Sequence, residues 1–166
     1  LFYNGSVGNM APACPVDICP QAVDGFTRAE KIGRGIADIV TAAAGSIRTV
    51  DAAPFVYVTR EALFDAKDDM WITMAGLRIG DAAMVTSPGE LFVELGMPVR
   101  ESAVARGAKS TFILGVTNDG IGYIVPEPLF KKRIYEATFC IYGPGEAPFV
   151  QQNMQAIMDS VTQGMK

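Results

Sequence analysis

The chain has no histidine among its 166 residues. A metal held here would therefore need part of its shell from outside these residues. Charge is also scarce: 19% of residues are charged, and 14 basic against 18 acidic side chains leave a net charge of −4. No basic excess draws a polyanion, which excludes nucleic acid as the natural partner. No apolar run reaches the roughly 18–20 residues of a membrane-spanning helix. Cysteine is rare, with three residues, so a four-ligand zinc knuckle cannot be assembled from cysteine and histidine.

The remainder describes a folded domain. Hydrophobic residues make up 49% of the chain, enough for a core and far from the composition of a disordered tail. Residues 1–166 are expected to form one domain. Leu1-Phe2-Tyr3 before Asn4-Gly5 reads as the end of a buried strand entering a loop. The chain is therefore expected to be a fragment or the C-terminal product of a cleaved precursor, with a short natural domain as the alternative.

Residues 4–25 form a Gly/Pro/Asn-rich loop, of a length that is often functional. Cys14 and Cys19 lie in its Pro-rich part, far enough apart to close a small disulfide ring; two free thiols are the alternative. Cys140 reads as a small buried hydrophobe. An apolar stripe of Ile32, Ile36, Ile39, Ala43 and Ile47 predicts a helix from about 26 to 46. Residues 53–60, 70–79 and 82–86 read as strands, with a tight Gly80-Asp81 turn. Ser87, Pro88 and Glu90 read as a capping box opening a helix, which Pro98 is expected to kink. Residues 111–116 read as a short strand, 118–120 as a turn and 125–148 as irregular. The last helix is expected over 149–163. The pattern is α/β: a mixed sheet flanked by helices, with sites in loops at strand ends, incomplete without an upstream segment.

Two patterns carry candidate chemistry. Ser87-Pro88-Gly89-Glu90-Leu91-Phe92 and Thr117-Asn118-Asp119-Gly120-Ile121-Gly122-Tyr123 each put a polar side chain where a strand gives way. The acid of Glu90 and the phenol of Tyr123 together suit a metal ion. Taken singly, Glu90 reads as a capping residue and Tyr123 as a core tyrosine. Asn4, Gly5, Gly8 and Asn9 read either as a nest of N–H groups for an anion or oxyanion, or as an ordinary turn. Tyr135 and Glu136 have a structural reading as well, with Glu136 paired to Arg133 or another cation.

In joint order, four stretches resemble the neutral ceramidase family of zinc amidohydrolases. Gly8-Asn9-Met10-Ala11-Pro12 is similar to its Gly-Asp-hydrophobic-Ser-Pro loop. Leu77-Arg78-Ile79-Gly80 followed by Pro88-Gly89-Glu90-Leu91-Phe92 is similar to its Pro-Gly-Glu-Phe motif and the strands before it. Thr117-Asn118 through Tyr123, and then Arg133-Ile134-Tyr135-Glu136-Ala137 with Ile141-Tyr142-Gly143-Pro144-Gly145, are similar to two later segments. The match covers the later part of that family's catalytic domain.

The resemblance implies a zinc ion held by two histidines from an upstream segment or partner chain together with Glu90 and Tyr123. It implies that Tyr135 assists at the scissile amide, and that Cys14–Cys19 is a disulfide beside the catalytic serine. That serine falls on Ala11 here, and the preceding aspartate falls on Asn9. Ser6 is the nearby hydroxyl that could face the same site. The expected activity is zinc-dependent hydrolysis of a linear amide such as an N-acyl lipid-like substrate, in a secreted, periplasmic or cell-surface protein, with a homo-oligomer as one of its candidate assemblies. The alternative is a catalytically degenerate binding or assembly protein on the same fold, favoured by Ala11 and the missing histidines.

Overall fold

The computed structural model describes residues 2–11, 24–49, 54–65 and 69–165. The Cys14–Cys19 pair lies outside them. The chain divides into two compact units, Leu1–Met10 with Ala52–Lys166, and Ala11–Asp51.

The smaller unit is built on helix α1 (Gly25–Ala44), close to the extent that its apolar stripe predicts. The carboxylate of Asp24 caps it by accepting from the N–H groups of Phe26 and Thr27, both at 3.0 Å. None of its residues is buried.

The larger unit holds a four-stranded mixed sheet in the order β1 (Phe55–Phe64), β2 (Met70–Ile79), β3 (Ala82–Thr86) and β5 (Ser110–Leu114). β1–β2 and β2–β3 are antiparallel and β3–β5 is parallel. A second, two-stranded parallel sheet pairs β4 (Glu90–Leu91) with β6 (Tyr123–Ile124). Helices α2 (Val93–Ala105) and α4 (Glu146–Val161) pack on one face of the larger sheet. Between β6 and α4 lie a one-turn helix α3 (Glu127–Phe130) and a 3₁₀ turn (Glu136–Phe139), so the stretch read as irregular holds two short elements.

Alternation decides which side of each strand is covered. Met70, Ile72 and Met74 of β2 and Ala83 and Val85 of β3 point to the helices and are buried with Met154, Ile157 and Met158 of α4. Gly76 belongs to the same row. A Cβ there would collide with Ile157 and Val161, so glycine is what lets α4 lie close to β2. The Gly80-Asp81 turn uses a left-handed glycine, φ +58°.

The capping box expected at Ser87 does not form. Ser87 is fully buried; its N–H donates to Leu114 O at 2.8 Å and its hydroxyl to Gly89 O at 3.1 Å. The N–H of Glu90 donates to Gly122 O at 2.8 Å. With these groups engaged by the 114–122 segment, residues 90–91 extend as β4 and the helix starts at Val93. Tertiary contacts override a good local helix signal. α2 then runs through Pro98, which sits in its second turn.

Candidate functional site

The two candidate patterns are stitched together by their backbones. Thr117 N donates to Ser87 O at 2.9 Å, Ile121 N to Pro88 O at 3.1 Å and Val116 N to Gly89 O at 3.4 Å. These bonds continue into the β4–β6 ladder, in which Glu90 and Tyr123 are direct partners. Partners in a parallel ladder project to the same side, so the carboxylate and the phenol are neighbours.

Around them stand Tyr135, whose ring is 6.2 Å from that of Tyr123 and edge-on to it, and Phe139 at 6.5 Å. Tyr135 is two-thirds exposed, and its own ring lies 5.1 Å from Phe139. Burial raises the Tyr123 phenol above its ordinary pKa; the negative charges of Glu90 and, more weakly, Tyr135 and Glu136 push the same way. The carboxylate and the phenol are two oxygen donors side by side, and a divalent cation between them would offset the cost of ionising the phenol. The pair fits half of a zinc shell. Among the described residues no group of three or more His, Cys, Asp or Glu side chains converges on one point.

The loop residues are engaged as follows. Gly8 donates its N–H to Leu91 O at 2.9 Å, and a Cβ on it would collide with the Glu90 carbonyl. Asn9 closes the start of α2: its Oδ1 accepts from Val93 N at 3.0 Å and its Nδ2 donates to Glu94 Oε2 at 2.9 Å. Asn4 O accepts from Gly115 N at 2.8 Å, just past the end of β5. The hydroxyl of Ser6 lies against Gly96 of α2. Gly5 and Ser6 line a cleft of about 790 Å³ with Met97, Arg100, Phe112 and Leu114, and neither Glu90 nor Tyr123 lines it.

Several supporting residues were not legible beforehand. Asp119 accepts from Thr73 N at 2.7 Å and Asn118 Nδ2 donates to Thr73 O at 3.3 Å. Beyond the end of β3 these side chains replace a strand beside β2, which fixes the loop that carries Tyr123. Asn118 does so from a left-handed backbone, φ +75°. The side chains of Glu136 and Phe139 come near Tyr123; the one hint of this was the adjacency of Glu136 to Tyr135. No ion pair joins Glu136 to Arg133 among the described residues.

No protein-family model matches the sequence, and comparison with curated proteins finds no match. Two solved structures are similar in fold. One is the neutral ceramidase from Pseudomonas aeruginosa, with a TM-score of 0.52 and 20% identity over 58% of this chain. The other is a ceramidase complexed with C2, with a TM-score of 0.51 and 20% identity over 57% of this chain. The chain spans 16% and 15% of the length of those proteins. Part of this chain therefore has a ceramidase-like fold.

Proposed function

We propose that this chain carries the carboxylate–phenol half of a zinc site in an amidohydrolase, completed by two imidazoles from an upstream segment or partner chain. The observation that supports this reading best is the register of β4 on β6, which makes Glu90 and Tyr123 direct partners. The order of motifs around them and the similarity of fold to ceramidases agree with it. Zinc, when bound, supplies Lewis acidity toward an amide carbonyl and makes water acidic enough to attack at neutral pH.

The chain's own residues have three tasks in this reading. Glu90 and Tyr123 hold the cation. Tyr135, exposed and edge-on to Tyr123, donates a hydrogen bond to the oxygen on which negative charge develops. The exposed rings and aliphatic chains of Tyr135, Phe139 and Ile141 form an apolar rim suited to the acyl part of an N-acyl substrate. With Ala11 where the family has serine, attack falls to water rather than to a side-chain hydroxyl. The site of action in this reading is secreted, periplasmic or at the cell surface.

Ala11 and the absence of histidine favour a second reading, a degenerate fold retained for binding or assembly. Zinc content separates the two. Elemental analysis of the natively isolated assembly, never exposed to chelator, should find about one zinc per copy of this chain, and Glu90→Gln should lose most of it. No zinc in the native material would favour the degenerate fold. Full zinc and activity in Glu90→Gln would remove Glu90 from the site.

A further inference from the structure

Glu146, the first residue of α4, is fully buried, and among the described residues no cation pairs with it. Its Oε2 accepts from Tyr142 N at 3.2 Å and lies 3.5 Å from Cys140 Sγ, while its Oε1 has no partner. The carboxyl thus reaches back from the helix and holds both ends of the 140–142 turn. Cys140 is the one titratable side chain that acts on it; no charged group of β1, β2, β3, β6 or α2, the elements packed on α4, does so.

The same turn is docked on the candidate site. Cys140 bridges to Gly122, the neighbour of Tyr123. The carbonyl of Phe139 lies so close to Gly122 that a Cβ there would collide with it. The rings of Tyr135 and Phe139 stand 6.2 and 6.5 Å from that of Tyr123. The two sides of the Glu146 contact differ in how firmly they are held. α4 is anchored by Val150, Met154, Ile157 and Met158, all in the core. On the side of the turn, Tyr135 is 66% exposed, Phe139 51% and Ile141 67%. A segment with few buried contacts opens before one that is packed in the core.

We propose that Glu146 is a positioning residue for the candidate site: protonated, it ties the 135–143 turn, with Tyr135 and Phe139, to the segment that carries Tyr123, and ionised, it releases that turn. The physical reason is the cost of a buried, unpaired charge. A protonated carboxyl still accepts from Tyr142 N and carries no charge, so the closed turn suits it. An ionised carboxylate with no cation beside it gains water when the turn lifts, and lifting the turn costs less than unfolding α4. Burial accordingly raises the carboxyl from 4.5 to about 7, so the tie is complete below 4.5 and is lost as pH rises through about 7. The release stands on the fold alone. That it withdraws an oxyanion donor and the apolar rim rests on the reading of the site proposed above.

Hydrogen–deuterium exchange of the natively isolated assembly tests the tie. Corrected for the intrinsic effect of pH, exchange in 135–143 should quicken by at least about tenfold between pH 5 and pH 8, while β2 stays protected. Glu146→Gln is neutral at every pH and still accepts from Tyr142 N, so it should keep the turn slow at both values. Glu146→Ala removes the tie and should leave the turn fast at both. Constant wild-type exchange in 135–143 would overturn the proposal, as would the same quickening in Glu146→Gln or a slow turn in Glu146→Ala. Quickening of β2 together with the turn would overturn it too, by showing global unfolding instead of local release. The wild-type comparison decides the matter even if neither variant folds. Zinc content of the same material reports on Glu90 and Tyr123 separately: its absence would sink the reading of the metal site and leave the exchange result standing.

Discussion

Gly89 lies so close to the carbonyl of Gly122 that no side chain fits between them: a Cβ on Gly89 would collide with that oxygen and crowd Ile121. One residue further along each segment stand Glu90 and Tyr123. The approach of two glycines therefore sets how near the acid and the phenol come. Gly122 also uses a left-handed backbone, φ +85°, that other residues rarely adopt.

Gly89→Ala should accordingly push the two segments apart. Forcing a methyl against backbone costs about 1–3 kcal/mol, because neither segment has a free side chain to move aside. Urea denaturation should show a lower midpoint with an unchanged slope. If zinc binds as proposed, zinc content should fall with the midpoint. An unchanged midpoint would mean that the segments separate freely and do not hold the pair.

Asn9 contributes through a different route. Its amide oxygen takes the N–H of Val93, one of the donors that the start of α2 leaves unsatisfied. Asn9→Ala should lower stability by about 1 kcal/mol, with Asn9→Asp retaining the acceptor but placing its charge beside Glu94. Thermal melts of the three proteins should rank wild type first, Asp second and Ala last. Equal melting of wild type and Ala would show that water caps the helix equally well.

Local signals and tertiary contacts were unequally visible beforehand. The alternation of 70–79 and 82–86 around Gly80-Asp81 locates β2 and β3 to the residue, since a half-buried sheet imposes its period on the sequence. The apolar stripe also locates α1 closely, although none of its residues is buried. Ser87-Pro88-Gly89-Glu90 misleads because a capping box and a strand connection use the same residues, and partners thirty positions away decide between them. The motif order suggested Glu90 and Tyr123 as a pair, but their register needed the fold. The last helix starts at Glu146 rather than at 149, because the Gly/Pro-rich stretch before it reads as irregular whereas Glu146 and Ala147 are buried in the first turn of α4.

That glutamate makes stability depend on pH. Glu146 is fully buried; its Oε2 accepts from Tyr142 N at 3.2 Å and faces Cys140 Sγ at 3.5 Å, while its Oε1 has no partner. Burial pushes its pKa up from 4.5 to about 7. Burial, reinforced by the Glu146 charge, pushes the Cys140 thiol up to about 12, so the thiol stays protonated and unreactive at neutral pH.

A raised carboxyl pKa means that the folded state prefers the protonated form. The stability contribution is complete below the unfolded value of 4.5 and is lost as pH rises through about 7. A shift of this size amounts to about 3 kcal/mol. Exposed Asp24, Asp81 and Glu127 are shifted down by hydrogen bonds from Thr27, Lys109 and Lys131 respectively, and act in the opposite direction near pH 4. The comparison with Glu146→Gln isolates the buried group. The stability of the variant relative to wild type should increase between pH 4.5 and pH 8, by guanidinium titration. A constant difference across that range would show that Glu146 does not titrate in the folded protein.

Val116 joins β5 to the Thr117–Tyr123 segment with a left-handed backbone, φ +51°. For a β-branched residue this conformation is a real outlier, because Cβ crowds the neighbouring carbonyl at a cost of about 1–2 kcal/mol. The strain is held in place on both sides: Ser87 N bonds Leu114 O before it, and Thr117 N bonds Ser87 O after it. The side chain is 47% exposed, so little packing is lost when it is removed. Val116→Gly should therefore stabilise the protein by about 1 kcal/mol, the relief of strain exceeding the added entropy of the unfolded glycine. Val116→Ala, which retains a Cβ, should not. Equal melting temperatures for Gly and Ala would mean that the left-handed conformation is not maintained in solution. The segment carrying Tyr123 would then reach the Glu90 strand by a different path.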